Sequence, residues 1–245
     1  MMLLRYLRAD RKKLRRMPIG AAHLIIPVGA AVIFWLCYRY VPGERTQNLE
    51  AYYQVLGMGF PFLIGVFSAL LAEQELSAGA FWNMLSAVER VPAFFSKLLL
   101  LVLYGAGAVL LASLPCGMGI YLLEGGNASF GFAAALLLLG SNLFCYVLHV
   151  ILAFTMHEGV TVGVGMVESL LAALLLTGMG EGVWPLVPAA WGSRFVTLLL
   201  RASGSCAIID TECRIAVLVC IGATLGSLVV FYLWACCWEG KRGTE

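Results

Sequence analysis

The sequence predicts an all-α integral membrane protein with six transmembrane helices, and three observations lead there. The 245 residues are 61% hydrophobic and only 12% charged, whereas a soluble domain carries roughly twice that share of charge. Too little polar surface exists to wrap a water-soluble globule, and the mean hydropathy of +0.91 agrees. The apolar residues fall into runs of a length that crosses a bilayer, about 20 residues at 1.5 Å each. The basic residues, finally, gather on one side of those runs. Transmembrane strands would be about half as long and alternate in polarity, which these runs do not.

The chain opens with seven basic residues in its first sixteen: Arg5, Arg8, Arg11, Lys12, Lys13, Arg15 and Arg16. Leu3, Leu4, Leu7 and Leu14 recur among them at helical spacing. Segment 1–18 therefore reads either as an amphipathic helix on an anionic leaflet or as an orientation signal with no further task. Spans follow at 19–41, 52–72, 98–123, 130–155, 162–180 and 216–238. The first is read as a retained span rather than a signal peptide, because no small-residue cleavage site follows it. With six spans, eleven of the sixteen Lys and Arg residues fall on the face of the termini. That bias places both termini in the cytoplasm.

The chain reads as one permease-sized domain, 1–245, with no internal repeat, low-complexity segment or linker. Two segments outside the spans are long enough to carry function. In the first, 73–92, Phe81, Met84, Leu85 and Val88 recur at i, i+3, i+4 and i+7, so one helical face is apolar before Pro92 ends it. It reads as a short cytoplasmic helix between the second and third spans, either a working surface or a simple chain reversal. The second, 181–214, is apolar but broken by Pro185 and Pro188, and reads as an external re-entrant or interfacial hairpin. Trp184 and Trp191 are expected there at headgroup depth.

Chemistry-bearing motifs are sparse. A phosphate-binding loop needs two glycines at fixed spacing before Lys and Ser/Thr, yet the one Gly-Lys pair, Gly240-Lys241, precedes Arg242. His157-Glu158 lacks the second histidine of a zinc protease helix, and neither aspartate, Asp10 or Asp210, lies in a span. No catalytic residue, metal ligand set or cofactor motif is therefore expected in this chain. Polar residues inside the spans are Asn142, His149 and Glu168. His149 and Glu168 lie at similar depth in antiparallel spans, so they are positioned to pair, as a buried structural contact or as a proton- or substrate-linked site. Gly222 and Gly226, four apart in the last span, permit close approach of another helix from this chain or a partner. Cys206 and Cys213 share the last external loop, where a disulfide is possible by compartment. The other six cysteines fall in or at the ends of spans.

The basic N-terminus, six spans and helix after span two resemble the type-2 ABC transporter permeases. The stretch Glu75-Leu76-Ser77-Ala78-Gly79-Ala80-Phe81-Trp82-Asn83-Met84-Leu85, followed by Arg90 and Lys97, is similar to the Glu…Gly…Asn-x-Leu…Arg…Lys run of lantibiotic-immunity permeases. The resemblance implies a multi-pass subunit of a bacterial plasma membrane. It would work with a dimer of a separate ATPase that holds ATP and Mg, and with a second permease, identical or homologous. Together they would clear lanthionine peptides from the membrane lipid, with no role for nucleic acid. It further implies that 73–90 is a coupling helix docking in the ATPase. Phe81, Trp82 and Leu85 would anchor it, Glu75 would lie at its mouth, and Glu73, Gly79, Asn83 and Arg90 would belong to the same surface. The hairpin bearing Trp184, Pro185 and Trp191 would face the peptide. A permease for another amphipathic cargo, such as a drug or lipid-linked molecule, is the nearest alternative. A proton-coupled transporter using His149 and Glu168, or a membrane scaffold, stands further off.

Overall fold

The computed structural model describes residues 2–14, 17–40, 45–87, 89–122, 129–204 and 211–240, and every regular element among them is helical. The order is α1 (Met2–Leu14), α2 (Pro18–Tyr40), α3 (Arg45–Ser77), α4 (Trp82–Leu85) and α5 (Arg90–Ile120). There follow α6 (Phe130–Ser141), α7 (Leu143–Thr155), α8 (Glu158–Leu174), α9 (Pro188–Gly204) and α10 (Thr211–Cys237). Short 3-10 turns at Gly178–Gly180 and Trp184–Leu186 join α8 to α9.

Among the described residues, four helices are long and apolar enough to cross a bilayer alone: α2, α3, α5 and α10. The pair α6 and α7 makes a fifth candidate if counted as one broken span, bent by 41°. Asn142 sits at that break, and its Nδ2 donates to the Leu138 carbonyl at 2.8 Å while the Ser141 hydroxyl donates to Leu137. Two adjacent side chains bonding back to the preceding turn compete with the backbone ladder, which explains why an unbroken 130–155 helix does not form.

The predicted 162–180 span is also corrected. Its helix, α8, begins earlier and ends at Leu174 after 17 residues, about 25 Å against a hydrocarbon thickness of about 30 Å. Gly178 and Gly180 count as apolar in a hydropathy reading but enter a 3-10 turn instead.

α3 is the axis of the assembly, packing against α8, α9 and α7. Its 33 residues reach about 50 Å, longer than the hydrocarbon is thick, so it must project at an end or tilt. The Tyr52 and Tyr53 hydroxyls donate to the carbonyls of Ala112 and Ser113 on α5, at 2.9 and 3.3 Å. On its other side, α9 crosses so closely that a Cβ added at Gly57 would lie 2.6 Å from the Ser193 amide nitrogen. Backbone cannot yield there as a side-chain tip can. Gly57→Ala is expected to cost about 1–3 kcal/mol by overpacking, read as a lower unfolding temperature in detergent; an unchanged temperature would refute the close α3–α9 crossing.

The predicted amphipathic helix over 73–90 does not form as one element. Glu73 to Ser77 simply continue α3, since Gln74, Glu75 and Leu76 are good helix formers and no breaker intervenes before Gly79. The chain then reverses through Gly79 (φ 141°), Ala80 (φ 47°) and Phe81 (φ 63°) before the four residues of α4. Two non-glycine residues with positive φ are strained. The turn is held by the Ala80 and Phe81 amides, which donate to the carbonyls of Leu76 and Glu75. It is held too by the Phe81 ring, 3% exposed, which packs against Phe154 and Trp238. Pro92 does not stop a preceding helix but lies in the first turn of α5, where its missing N–H costs nothing.

The segment predicted as an external re-entrant or interfacial hairpin is, among its described residues, mostly buried between 184 and 197. Trp184 and Trp191 are buried, their indole N–H groups donating to Glu212 Oε2 at 2.9 Å and to the Pro185 carbonyl at 3.0 Å. Arg194 of α9 donates to the carbonyls of Leu175 and Thr177 at the C-terminal end of α8 and pairs with Glu181, the favourable place for a cation on a helix.

Candidate functional site

Three places hold several of the residues singled out from the sequence. The first is the reversal between α3 and α5. Phe81 and Met84 point inward, Leu85 is half-buried, and Trp82 stands out at 70% exposure. Glu73, Leu76 and Gly79 are exposed beside it. The Arg90 guanidinium donates to the Trp238 carbonyl at 2.9 Å, tying this end to the close of α10. Val88 and the side chain of Asn83 lie outside the described residues. A four-residue helix seated on a buried phenylalanine thus presents one large aromatic side chain to the surroundings.

Directly behind that surface lies the second place, a buried ionic cluster. Lys97 Nζ donates to Glu75 Oε1 at 2.7 Å and to Asp10 Oδ1 at 3.1 Å. Lys13 Nζ reaches the same Glu75 oxygen at 2.8 Å, and the Ser96 hydroxyl donates to Asp10 Oδ2 at 2.6 Å. Two carboxylates and two ammonium groups balance, which is what makes such a cluster tolerable away from water. Glu75 is 2% exposed, so in this conformation it joins α1, α3 and α5 rather than meeting a partner. Asp10, Lys13 and Ser96 escaped the sequence reading. The available signal was Asp10 as the one acid among seven bases, followed by Lys13 and Leu14 on the same helical face.

The third place is between α7 and α8. His149 Nε2 and Glu168 Oε2 are hydrogen bonded at 2.8 Å, and His149 is fully buried. Among the described residues its Nδ1 has no partner, nor does the buried hydroxyl of Thr161 nearby on α8. Gly65 and Gly165 leave the room for this ring, since a Cβ on either would come within 3.4 Å of His149 Cε1. Asn142 is not part of this group; it packs at the break near Gly192.

The remaining candidates stand apart. No atom lies within 4 Å of a Cβ built on Gly222 or Gly226, so these glycines pack against no helix of this chain among the described residues. Cys206 lies outside the described residues, and with it the proposed bond to Cys213. Among the described residues no three of His, Cys, Asp and Glu come together as a metal would require.

An all-helical, multi-pass membrane protein with an ordered polar end is the class these features define. The chain matches the family model of the ABC-2 family transporter proteins over residues 6–180, from within α1 through α8, and it belongs to that family. Proteins of this family are the membrane-spanning transport subunits of ABC transporters, generally without catalysis of their own. No curated protein and no solved structure matches the chain.

Proposed function

We propose that this chain is the permease subunit of an ATP-driven exporter, working with a separate ATPase dimer and a second permease to expel lantibiotic-type peptides from a bacterial plasma membrane. The observation that carries the exporter reading is Trp82, exposed on the tight turn between two spanning helices. Exposed tryptophan is costly in isolation and typical of the anchor of an interface. The turn lies on the same end as the basic α1, which the bias of Lys and Arg assigns to the cytoplasm, where an ATPase would be. Six crossings follow if α6–α7 is one span and the short α8 is another, completed by local thinning of the bilayer; both termini are then cytoplasmic.

The peptide cargo rests on the resemblance of the Glu75–Lys97 run. Glu75 and Lys97 pair with each other and Arg90 binds the end of α10, so the run supports this end of the subunit rather than a peptide contact. Trp184 and Trp191 are buried here, so a peptide route past the α8–α9 hairpin requires it to open. Purification of the tagged protein in mild detergent is the direct test: an ATPase with a phosphate-binding loop should accompany it, and recovery of this chain alone would overturn the proposal. Deleting the gene should lower tolerance to lanthionine peptides if the cargo is right, and unchanged tolerance would redirect the reading to another amphipathic cargo.

The His149–Glu168 hydrogen bond favours a second reading, proton-coupled transport. Glu168→Gln keeps a hydrogen-bonding group but removes the charge. An ATP-driven subunit should keep transport within about threefold, as an uncharged hydrogen bond replaces a charged one, whereas a proton-coupled one should lose it.

A further inference from the structure

The charges of α1 are not all spent in the ionic cluster. Asp10 and Lys13 turn toward α3 and α5, but Arg8 and Arg11 are exposed and form no ion pair among the described residues. They lie with Leu4 and Leu7 at i, i+3, i+4 and i+7, one face of the helix. That face borders a cleft against α5, whose opposite wall is Leu100, Leu103 and Tyr104, also at helical spacing. The cleft between the two helices has a volume of about 380 Å³ and is open on one side. Its chemistry is divided: two guanidinium groups from α1 stand over an apolar wall that continues along a spanning helix. Leu103, six residues beyond Lys97 on α5, is 54% exposed.

We propose that this cleft is a binding site for one anionic phospholipid, its phosphate held by Arg8 and Arg11 and an acyl chain lying against Leu103 and Tyr104. Two guanidiniums are matched to a phosphate as a bidentate clamp. A soluble anion has no use for the leucine wall, and a zwitterionic lipid already sets its own ammonium against its phosphate, which leaves less net charge for the arginines to neutralise. The ionic cluster fixes the distance between the two walls, because Asp10 follows Arg8 by two residues and is tied to Ser96 and Lys97 of α5. The site is independent of the exported cargo and requires only that α5 crosses a membrane.

The test is native mass spectrometry of the full-length protein, as purified with any partners, after exchange into micelles doped with phosphatidylglycerol or phosphatidylcholine. One phosphatidylglycerol should be retained about tenfold more readily than phosphatidylcholine. Arg8→Gln/Arg11→Gln should abolish that preference, whereas Arg5→Gln/Lys12→Gln, which removes the same charge outside the cleft lining, should keep it. Leu103→Trp, which fills the apolar wall without touching charge, should also weaken retention. Equal losses in the two charge pairs would mean diffuse attraction to a basic helix and would overturn the site. Displacement of the lipid by millimolar glycerophosphate would overturn it too, by placing a free phosphate there.

Discussion

Replacing Lys97 with methionine is expected to lower the unfolding temperature in detergent by about 10 °C, taking about 3–5 kcal/mol for breaking a buried ion pair. The reason is arithmetic of charge. Lys97 is the ammonium shared by Asp10 and Glu75, and without it the two carboxylates are left to Lys13, which is partly exposed. The loss should be local as well as global, because Asp10 holds α1 to α5 through Ser96 and Lys97. Trypsin should therefore cut at Arg5, Arg8 and Arg11 faster in Lys97→Met. The charge-matched double variant Glu75→Gln/Lys97→Met leaves Asp10 with Lys13 and Ser96, and it should recover more than half of the lost stability. Were Lys97→Met as stable and as protease-resistant as the wild type, the cluster would not be what anchors α1.

Hydropathy carried most of the fold because span length is a property of the chain alone: α2, α3, α5 and α10 lie where the apolar runs place them. The same logic named Asn142 but could not see the break there, since a side chain bonding to its own preceding turn changes direction without changing polarity. Nor could it place Trp184 and Trp191. An apolar side chain is equally content against lipid or protein, and only the partners Glu212 and Pro185 reveal which it chose. Within the candidate sites, His149 and Glu168 were legible because helical rise alone sets their depth. The pairing of Glu75 with Lys97 was not, although both residues stood out, because it depends on how sharply the chain turns at Gly79 to Phe81. That turn is dictated by a distant aromatic pocket of Phe154 and Trp238, which no local pattern encodes.

Trp82→Ala is expected to leave folding intact and, on the proposed function, to weaken retention of a partner ATPase. The indole is mostly exposed, so its removal withdraws little from the core. The unfolding temperature should stay within the scatter typical of surface substitutions, about 0.5 kcal/mol. At an interface the same ring would be an anchor worth about 2 kcal/mol, or roughly a 30-fold weaker association. The contrast that isolates this role is its neighbour Phe81, which is buried against Phe154 and Trp238. Phe81→Ala opens a cavity costing about 3–5 kcal/mol, so it should lower stability and ATPase retention together, whereas Trp82→Ala lowers retention alone. Co-purified ATPase per permease, scored beside thermal unfolding, separates the two. Full retention of the ATPase by a stable Trp82→Ala protein would move the docking surface elsewhere, and the exposed residues Glu73 and Leu76 at the close of α3 would then be the next to test.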